Sequence, residues 1–435
     1  MAIFTTFMTT PSVMAIYKPA RGVSPYTRRK LQPESSPISG SKNKELRLLA
    51  CVHGPGNVPS LINLIESTRS TKKSPLKLYI MHLVELTERS SSIVMVQRVR
   101  KNGLPLINRL RNRKSHDRVA VAFEAYGQLG RVKVRPMTAI SALPTMHEDV
   151  CHVAEEKRVT MMILPFHKQG RRGEDGVVAM ENVGHGWRMV NQRVLKYAPC
   201  SVAVLVDRGL GGGGGQETPG PTSAISVAQG VCVVFFGGPD DREALEFGGR
   251  MAEHPGVTVT VVRFVDAKET EKNGVILMPT PEKCTEKNYS FSTAVMDRER
   301  EKELDEIAVT EFRKRWDGLA TYVEKEASNI VESVLAIGRS EEYELIVVGK
   351  GRFPSTMVAE LAEHTAEHAE LGPIGDILAS SGHGVVSSVL VIQQHDVEHA
   401  NEAPVSKVFV GNTNGSSSSS HASPAANSST FSSSV

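Results

Sequence analysis

Aromatic residues are scarce in this 435-residue chain, at 5%. Its core must therefore rest on Val, Leu, Ile, Ala and Met. Cysteine is scarcer still: Cys51, Cys151, Cys200, Cys232 and Cys284 are all there are. The number is odd and no two stand at C-x-x-C spacing, which excludes a disulfide framework and the usual zinc patterns. Cys51 and Cys232 lie inside apolar runs, where a free thiol packs as a small core residue. Such usage fits a reducing compartment such as the cytosol. An excess of charge is missing too. Charged residues make up 23% and the formal net charge is only +3. A general nucleic-acid binder needs a strongly basic domain with interleaved aromatics, so no nucleic-acid partner is expected.

Long apolar runs are absent as well. A complete transmembrane helix needs about 18–20 apolar residues. The opening stretch "MAIFTTFMTTPSVMAIYKPARG" falls just short and is rich in threonine. It carries no charge before Lys18, and then come Arg21, Arg28, Arg29 and Lys30 with no acid until Glu34. No positive segment precedes the apolar part, so a signal peptide is disfavoured. Catalytic motifs are also missing. There is no G-x-S-x-G, no Walker loop, no paired-acid motif and no cysteine–histidine arrangement with a reason to be close. No enzyme is expected, and no catalytic residue, cofactor or metal ligand is assigned.

What is present is a regular alternation. "LRLLACV" reads as a buried strand that ends in the turn "HGPGN", and "SLINLIEST" follows at helical spacing. "LKLYIMHLVEL", "VKVRPMTAI", "TMMILPF" and "CSVAVLVD" read as further strands, and "TMHEDVCHVAEEKRV" as a helix. This order predicts an α/β fold with a parallel sheet and helices on both faces. The run "GLGGGGGQETPGPTSA" is linker chemistry, and beyond it the pattern starts again. Gly54-Pro55 matches Gly238-Pro239, "HLVEL" matches "RFVDA", and "MMILPFHK" matches "YELIVVGK". "CSVAVLVD" is answered by "SSVLVIQQ", with the offset staying near 180 residues throughout. The expected organisation is a helix end at 1–20, a basic linker at 21–44 and a first domain at 45–207. A Gly/Pro linker at 208–228, a second domain at 229–396 and a disordered Ser-rich tail at 397–435 follow.

Four segments invite a functional reading. Gly237 and Gly238 follow the first strand of the second repeat and can cradle an anion at a helix start. The plainer reading is a turn closed by a capping box between Asp240 and Glu243. Gly349, Lys350, Gly351 and Arg352 form a basic loop at the carboxyl end of the sheet, where open α/β sheets bind ligands. These six residues, Gly237, Gly238, Gly349, Lys350, Gly351 and Arg352, are the anion-loop candidates. The matching loop of the first repeat, "LPFHKQGRRGEDG", is basic through Lys168, Arg171 and Arg172. Arg98, Arg100, Lys101, Arg109, Arg111, Arg113, Lys114 and Arg118 make the most basic interior segment, either a solvated face or a patch for anionic lipid headgroups.

Two further features read first as structure. In "AEHTAEHAE", His364 and His368 stand four apart, as a metal pair on a helix would, though a solvated polar helix is the simpler reading. With His383, His395 and His399 they also suggest pH sensitivity. "DREREKELDEIAVTEFRKRW" predicts an amphipathic helix packed through Ile307, Phe312 and Trp316.

Several stretches carry a specific likeness: "FTTFMTTPSVMAIYKPAR", "LRLLACVHGPGNVPSLINLIEST", "HDRVAVAFEAYGQLGRVKVRPMTAIS", "HGWRMVNQRVLKYAPCSVAVLVDRG", "VVFFGGPDDREALEFGGRM" and "LGPIGDILAS". The chain resembles the carboxyl-terminal part of plant cation/proton exchangers, in the second branch of the monovalent cation:proton antiporter family, and most of all the guard-cell type. The resemblance covers nearly everything up to about His395. It implies two tandem universal-stress-protein-like (Rossmann-like) domains following a membrane domain, and a role as cytosolic regulatory region in potassium/proton exchange at an endomembrane or the plasma membrane.

The opening run then reads as the end of a last transmembrane helix, with the basic run after it on the cytosolic side. Implied partners are the antiporter membrane domain, anionic headgroups met by Lys18, Arg21, Arg28, Arg29 and Lys30, and a second copy of the chain. The segment holds no transport helix, so the chain is not expected to transport ions alone. The alternative is a free-standing tandem universal-stress-type protein that binds an adenine nucleotide. ATP-binding members of that class carry Gly-x-x-Gly and then Gly-Ser or Gly-Thr. Here Arg352 stands in place of the second glycine, and Asp376 follows Gly375.

Overall fold

The computed structural model describes residues 31, 45–69, 76–86, 107–109, 118–130, 132–172, 178–184, 186–211, 229–265, 286–326, 329–352, 358 and 366–395. The opening run, the basic cluster Lys18–Lys30, most of the basic interior segment, the glycine linker, His364, His399 and the serine tail lie outside these residues.

The apolar runs become strands at the expected places. The first repeat holds β1 (Leu46–Val52), β2 (Leu76–Glu85), β3 (Ile107–Arg109), β4 (Lys133–Ser141), β5 (Met161–Pro165), β6 (Lys168–Arg172), β7 (Val178–Asn182) and β8 (Ser201–Val206). The second holds β9 (Gln229–Phe235), β10 (Val257–Val265), β11 (Ala320–Glu326), β12 (Leu345–Gly349) and β13 (Ser388–Gln393). Helices α1 (Val58–Ser67), α2 (Arg118–Gly130), α3 (Met146–Glu156) and α4 (Trp187–Tyr197) belong to the first repeat. Helices α5 (Pro239–Ala252), α6 (Glu286–Arg315), α7 (Ile330–Arg339) and α8 (Gly372–Ala379) belong to the second.

Eleven strands form one sheet in the order β11-β10-β9-β12-β13-β8-β5-β1-β2-β4-β3. Within each repeat the first strand sits between two parallel partners, β1 between β5 and β2, and β9 between β12 and β10. The duplication seen in the sequence is therefore a duplication of topology. The repeats join at β8 and β13, which pair antiparallel from Val206↔Val389 to Val202↔Gln393. Equivalent strands meeting antiparallel is the self-complementary contact that a two-fold axis produces, here within one chain.

Every strand near this seam is covered on both faces, so its residues are apolar without alternation. Leu49, Cys51, Val202, Val204, Val389 and Val391 belong to one core layer. Leu48, Ala50, Ala203, Leu205, Leu390 and Ile392 belong to the other. Both layers run through the seam. The α/β fold with its mostly parallel sheet is as expected.

Several local expectations are corrected. The basic loop after β5 is an antiparallel hairpin, β6 with β7, from Lys168↔Asn182 to Arg172↔Val178. The capping box at α5 does not form. The helix is capped by Gly238 at φ 98° with no side-chain cap, and Asp240 turns instead to Arg352 and Gln394. On α6, Phe312 and Trp316 are buried as expected, but Ile307 is 48% exposed. The buried line runs through Asp305, Val309, Phe312 and Trp316, whose i, i+4, i+7 spacing leaves Ile307 on the opposite side. His368 is not helical; it precedes the 3-10 turn Ala369–Leu371 and is buried. No helix among the described residues is long and apolar enough to cross a membrane.

Candidate functional site

The glycine loops of the second repeat are the leading anion candidates, and the amides of Gly237, Gly238, Gly349, Lys350 and Arg352 are already engaged. β9 ends at Phe235, and the amides of Phe236 and Gly237 donate to Asp241 Oδ2 at 2.7 and 3.0 Å. The Gly349 amide, at the end of the adjacent β12, donates to Asp241 Oδ1 at 2.9 Å. The Gly238 amide donates to both carboxylate oxygens of Asp305, each at 3.0 Å. Asp240 accepts from the Arg352 amide at 3.1 Å, from Arg352 Nη2 at 2.9 Å and from the Gln394 amide at 2.8 Å. Lys350 Nζ donates to Gln393 Oε1 at 3.0 Å. Three carboxylates of the chain itself thus occupy the loops that would receive a phosphate.

This filling is tight. A Cβ at Gly237, which has φ 115°, would stand 2.6 Å from Asp305 Oδ2. One at Gly349 would stand 2.1 Å from Asp241 Oδ1. Arg242 Nη1 donates to Asp305 at 2.5 Å, and Nη2 donates to Glu301 at 2.7 Å. Burial pushes the Asp241 carboxyl up to about 7 against the pull of its amide donors. Burial also raises Asp305, opposed by the Arg242 guanidinium. It lowers the Lys350 ammonium.

A second cluster lies where the two repeats meet, and no sequence spacing announced it. His167 follows β5 in the first repeat. His368 and Glu370 lie just before α8 in the second. All three are buried. His167 Nδ1 is 3.3 Å from Glu370 Oε1, with no hydrogen bond between them. The two imidazoles are edge-on, with ring centroids 5.2 Å apart. Arg188, at the start of α4, donates through Nε to Glu370 Oε2 at 3.2 Å and through Nη2 to the Glu367 carbonyl at 2.6 Å. Lys168 Nζ donates to Glu367 Oε1 at 2.7 Å and lies 3.1 Å from His368 Nε2.

Asp376, the residue that stands after Gly375 in place of Ser or Thr, holds the segment. It accepts the amides of Glu367 and His368 at 3.0 and 2.8 Å. Burial lowers His167 to about 4, against the opposing pull of Glu370, and lowers His368 as well. Burial thus favours the neutral form of both rings.

Nearby, His53 follows β1 and stacks on Trp187 with centroids 3.9 Å apart. Neither of its ring nitrogens has a hydrogen-bond partner among the described residues. Burial, helped by His167 and His82, lowers this ring to about 3. Of the other histidines singled out in the sequence, His383 Nδ1 lies 2.9 Å from the Ile377 carbonyl, and the His395 amide donates to Ser201 Oγ at 3.2 Å. His167 was visible in the sequence only as part of a basic loop after a strand. Glu370 and Arg188 carried no signal, because their meeting depends on how the repeats pair.

Comparison with known proteins adds a lineage. Residues 78–210 match a plant cation/H(+) antiporter domain model, and residues 228–393 match the model of the plant cation/H(+) antiporter C-terminal domain. Cation/H(+) antiporter 20 of Arabidopsis thaliana is 59% identical over 404 residues, covering 90% of this chain and 47% of its own length. Cation/H(+) antiporter 19 of the same plant is 46% identical over 396 residues, covering 90% of this chain and 45% of its own. The chain thus spans about half the length of the curated relatives it matches. Among solved structures, a universal stress protein from Archaeoglobus fulgidus is similar at a TM-score of 0.39 and 11% identity, covering 80% of this chain and 97% of that one.

Proposed function

The chain belongs to the plant cation/H(+) antiporter family, and on that premise we propose that it is the cytosolic regulatory region of a potassium (monovalent cation)/proton antiporter serving cation and pH homeostasis. The observation that carries this reading is the match of both repeats, over residues 78–210 and 228–393, to domains of one antiporter family. The described residues present two buried apolar layers that run through both repeats, an arrangement suited to a rigid body that another part of a protein can push against. The membrane domain of the antiporter is the partner, in an endomembrane or the plasma membrane. Lys18, Arg21, Arg28, Arg29 and Lys30 meet anionic headgroups beside it, and two copies pair when the membrane domains pair.

The carboxylates of Asp240, Asp241 and Asp305 favour this reading over an adenine-nucleotide binder. They hold the amides that a nucleotide phosphate would need. The test is a domain exchange in cells that lack potassium/proton antiport. A related antiporter whose matching region is replaced by this chain is expected to restore growth and pH-dependent cation exchange, whereas the chain alone gives no flux. Cation flux from the chain alone would overturn the reading, as would one ATP per chain in native mass spectra of the purified protein.

A further inference from the structure

His167, His368 and Glu370 each offer a ligand atom, and these atoms all lie within 4.8 Å of one another. The three residues are 3%, 2% and 3% exposed. His167 Nδ1, His368 Nδ1 and Glu370 Oε1 are all buried without a hydrogen-bond partner. Two unpartnered imidazole nitrogens beside a buried carboxylate oxygen that lies 3.2 Å from Arg188 Nε need an explanation, because buried polar groups normally find partners. From this convergence we infer that His167, His368 and Glu370 bind one divalent transition-metal ion, zinc foremost, across the seam between the repeats.

The donor set suits the ion. Two imidazoles and a carboxylate, with water in the fourth position, are a common zinc environment. They also suit nickel or cobalt better than magnesium or calcium, which prefer all-oxygen sites. Ligands held about 2.0–2.1 Å from a tetrahedral zinc stand about 3.3–3.4 Å apart. The His167 Nδ1–Glu370 Oε1 separation of 3.3 Å already has that value.

The surroundings resemble a supporting shell. Glu367 Oε1 lies 3.2 Å from His368 Nε2 and can accept its proton once Lys168 Nζ, 3.1 Å from the same nitrogen, turns to water; that carboxylate–histidine pairing turns the other nitrogen toward a metal. Asp376 fixes the backbone of Glu367 and His368. Two cations stand close, and both have an exit. The Arg188 side chain is 42% exposed and the Lys168 side chain 21%, so the ion can replace their charge as they turn toward water. Binding would clip β5 of the first repeat to the segment before α8 of the second.

The experiment uses the untagged chain, stripped with a chelator and then dialysed against zinc chloride. One zinc per chain by elemental mass spectrometry is expected, with a raised melting temperature. His368→Ala and Glu370→Gln should each weaken binding by about tenfold or more, while His383→Ala leaves it unchanged. Less than a tenth of an equivalent bound by the folded chain would overturn the site. So would full binding that survives both substitutions. Should either variant fail to fold, the unsubstituted chain loaded with cobalt decides. Intense visible bands of a four-coordinate nitrogen–oxygen site support the assignment, and the weak bands of a hydrated octahedral ion refute it.

Discussion

Both carboxylate oxygens of Asp305 lie 3.0 Å from the amide of Gly238. Asp305 lies in the C-terminal half of α6, and Gly238 caps α5. An acid from α6 thus fills the glycine turn that opens α5, and Arg242 closes over it. Removing the acid leaves a buried amide unpaired and takes one of two carboxylates, the other being Glu301, from a mostly buried guanidinium. Asp305→Ala is expected to destabilise the chain by about 2–4 kcal/mol. Asp305→Asn, which keeps an acceptor, should cost less. Urea titrations with a shared m-value measure both, and an unchanged midpoint for Asp305→Ala would show that the contact carries no stability.

Gly349 and Gly351 make a contrasting pair on one loop. A methyl group at Gly349 meets Asp241 Oδ1 at 2.1 Å and the Asp241 amide nitrogen at 2.6 Å, and backbone cannot step aside. Gly351 has φ 70° and nothing within 4 Å. Gly349→Ala should therefore cost about 3 kcal/mol or more by overpacking, and Gly351→Ala about 1–2 kcal/mol from its left-handed backbone alone. Equal melting temperatures for the two variants would contradict this geometry.

His53 supplies an acid-sensitive term. Its ring is lowered to about 3 in the fold, while an unfolded histidine titrates near about 6.5. The unfolded chain binds the extra proton between those values. Stability from the buried neutral ring is thus full above about pH 6.5 and is lost as pH falls toward 3. His53→Phe keeps the stack on Trp187 and should flatten that part of the stability profile. A profile parallel to that of the unsubstituted chain would sink the assignment.

Asp241 acts with the opposite sign. Its carboxyl is raised to about 7, against about 3.9 when unfolded. The folded chain holds the extra proton in that window, so this contribution is full below about pH 4 and is lost as pH rises through 7. Asp241→Asn should remove that decline, so the difference between the two chains in denaturation midpoint changes steadily from pH 4 to 7 and then levels. A constant difference across the window would count against it.

The buried thiols should be inert. Cys51, Cys200 and Cys232 are buried and Cys151 is half-buried; burial raises Cys51, Cys151 and Cys232, the last two to about 12. Thiolate is the reactive form. A maleimide at pH 8 is expected to leave Cys51, Cys200 and Cys232 unlabelled in the folded chain and to label them in urea, as read by peptide mass mapping. Rapid labelling of Cys51 in the native state would overturn the core placement.

The sequence by itself determined the strands and the duplication. Leu46–Val52 and Ser201–Val206 could be read directly because strands covered on both faces need unbroken apolar runs, and that demand is local. The Gly54-Pro55 and Gly238-Pro239 turns showed the repeat because each closes the same strand-to-helix step. Tertiary structure alone decided the rest. The antiparallel meeting of β8 with β13 depends on which apolar edges find each other, and each edge looks the same in sequence whichever partner it takes. Asp305 filling the Gly238 turn depends on how α6 lies against α5. The approach of His167 to Glu370 depends on the seam, which brings a loop of one repeat against a turn of the other. Side-chain spacing along a chain reports only the face of its own element, so contacts made between repeats had to wait for the fold.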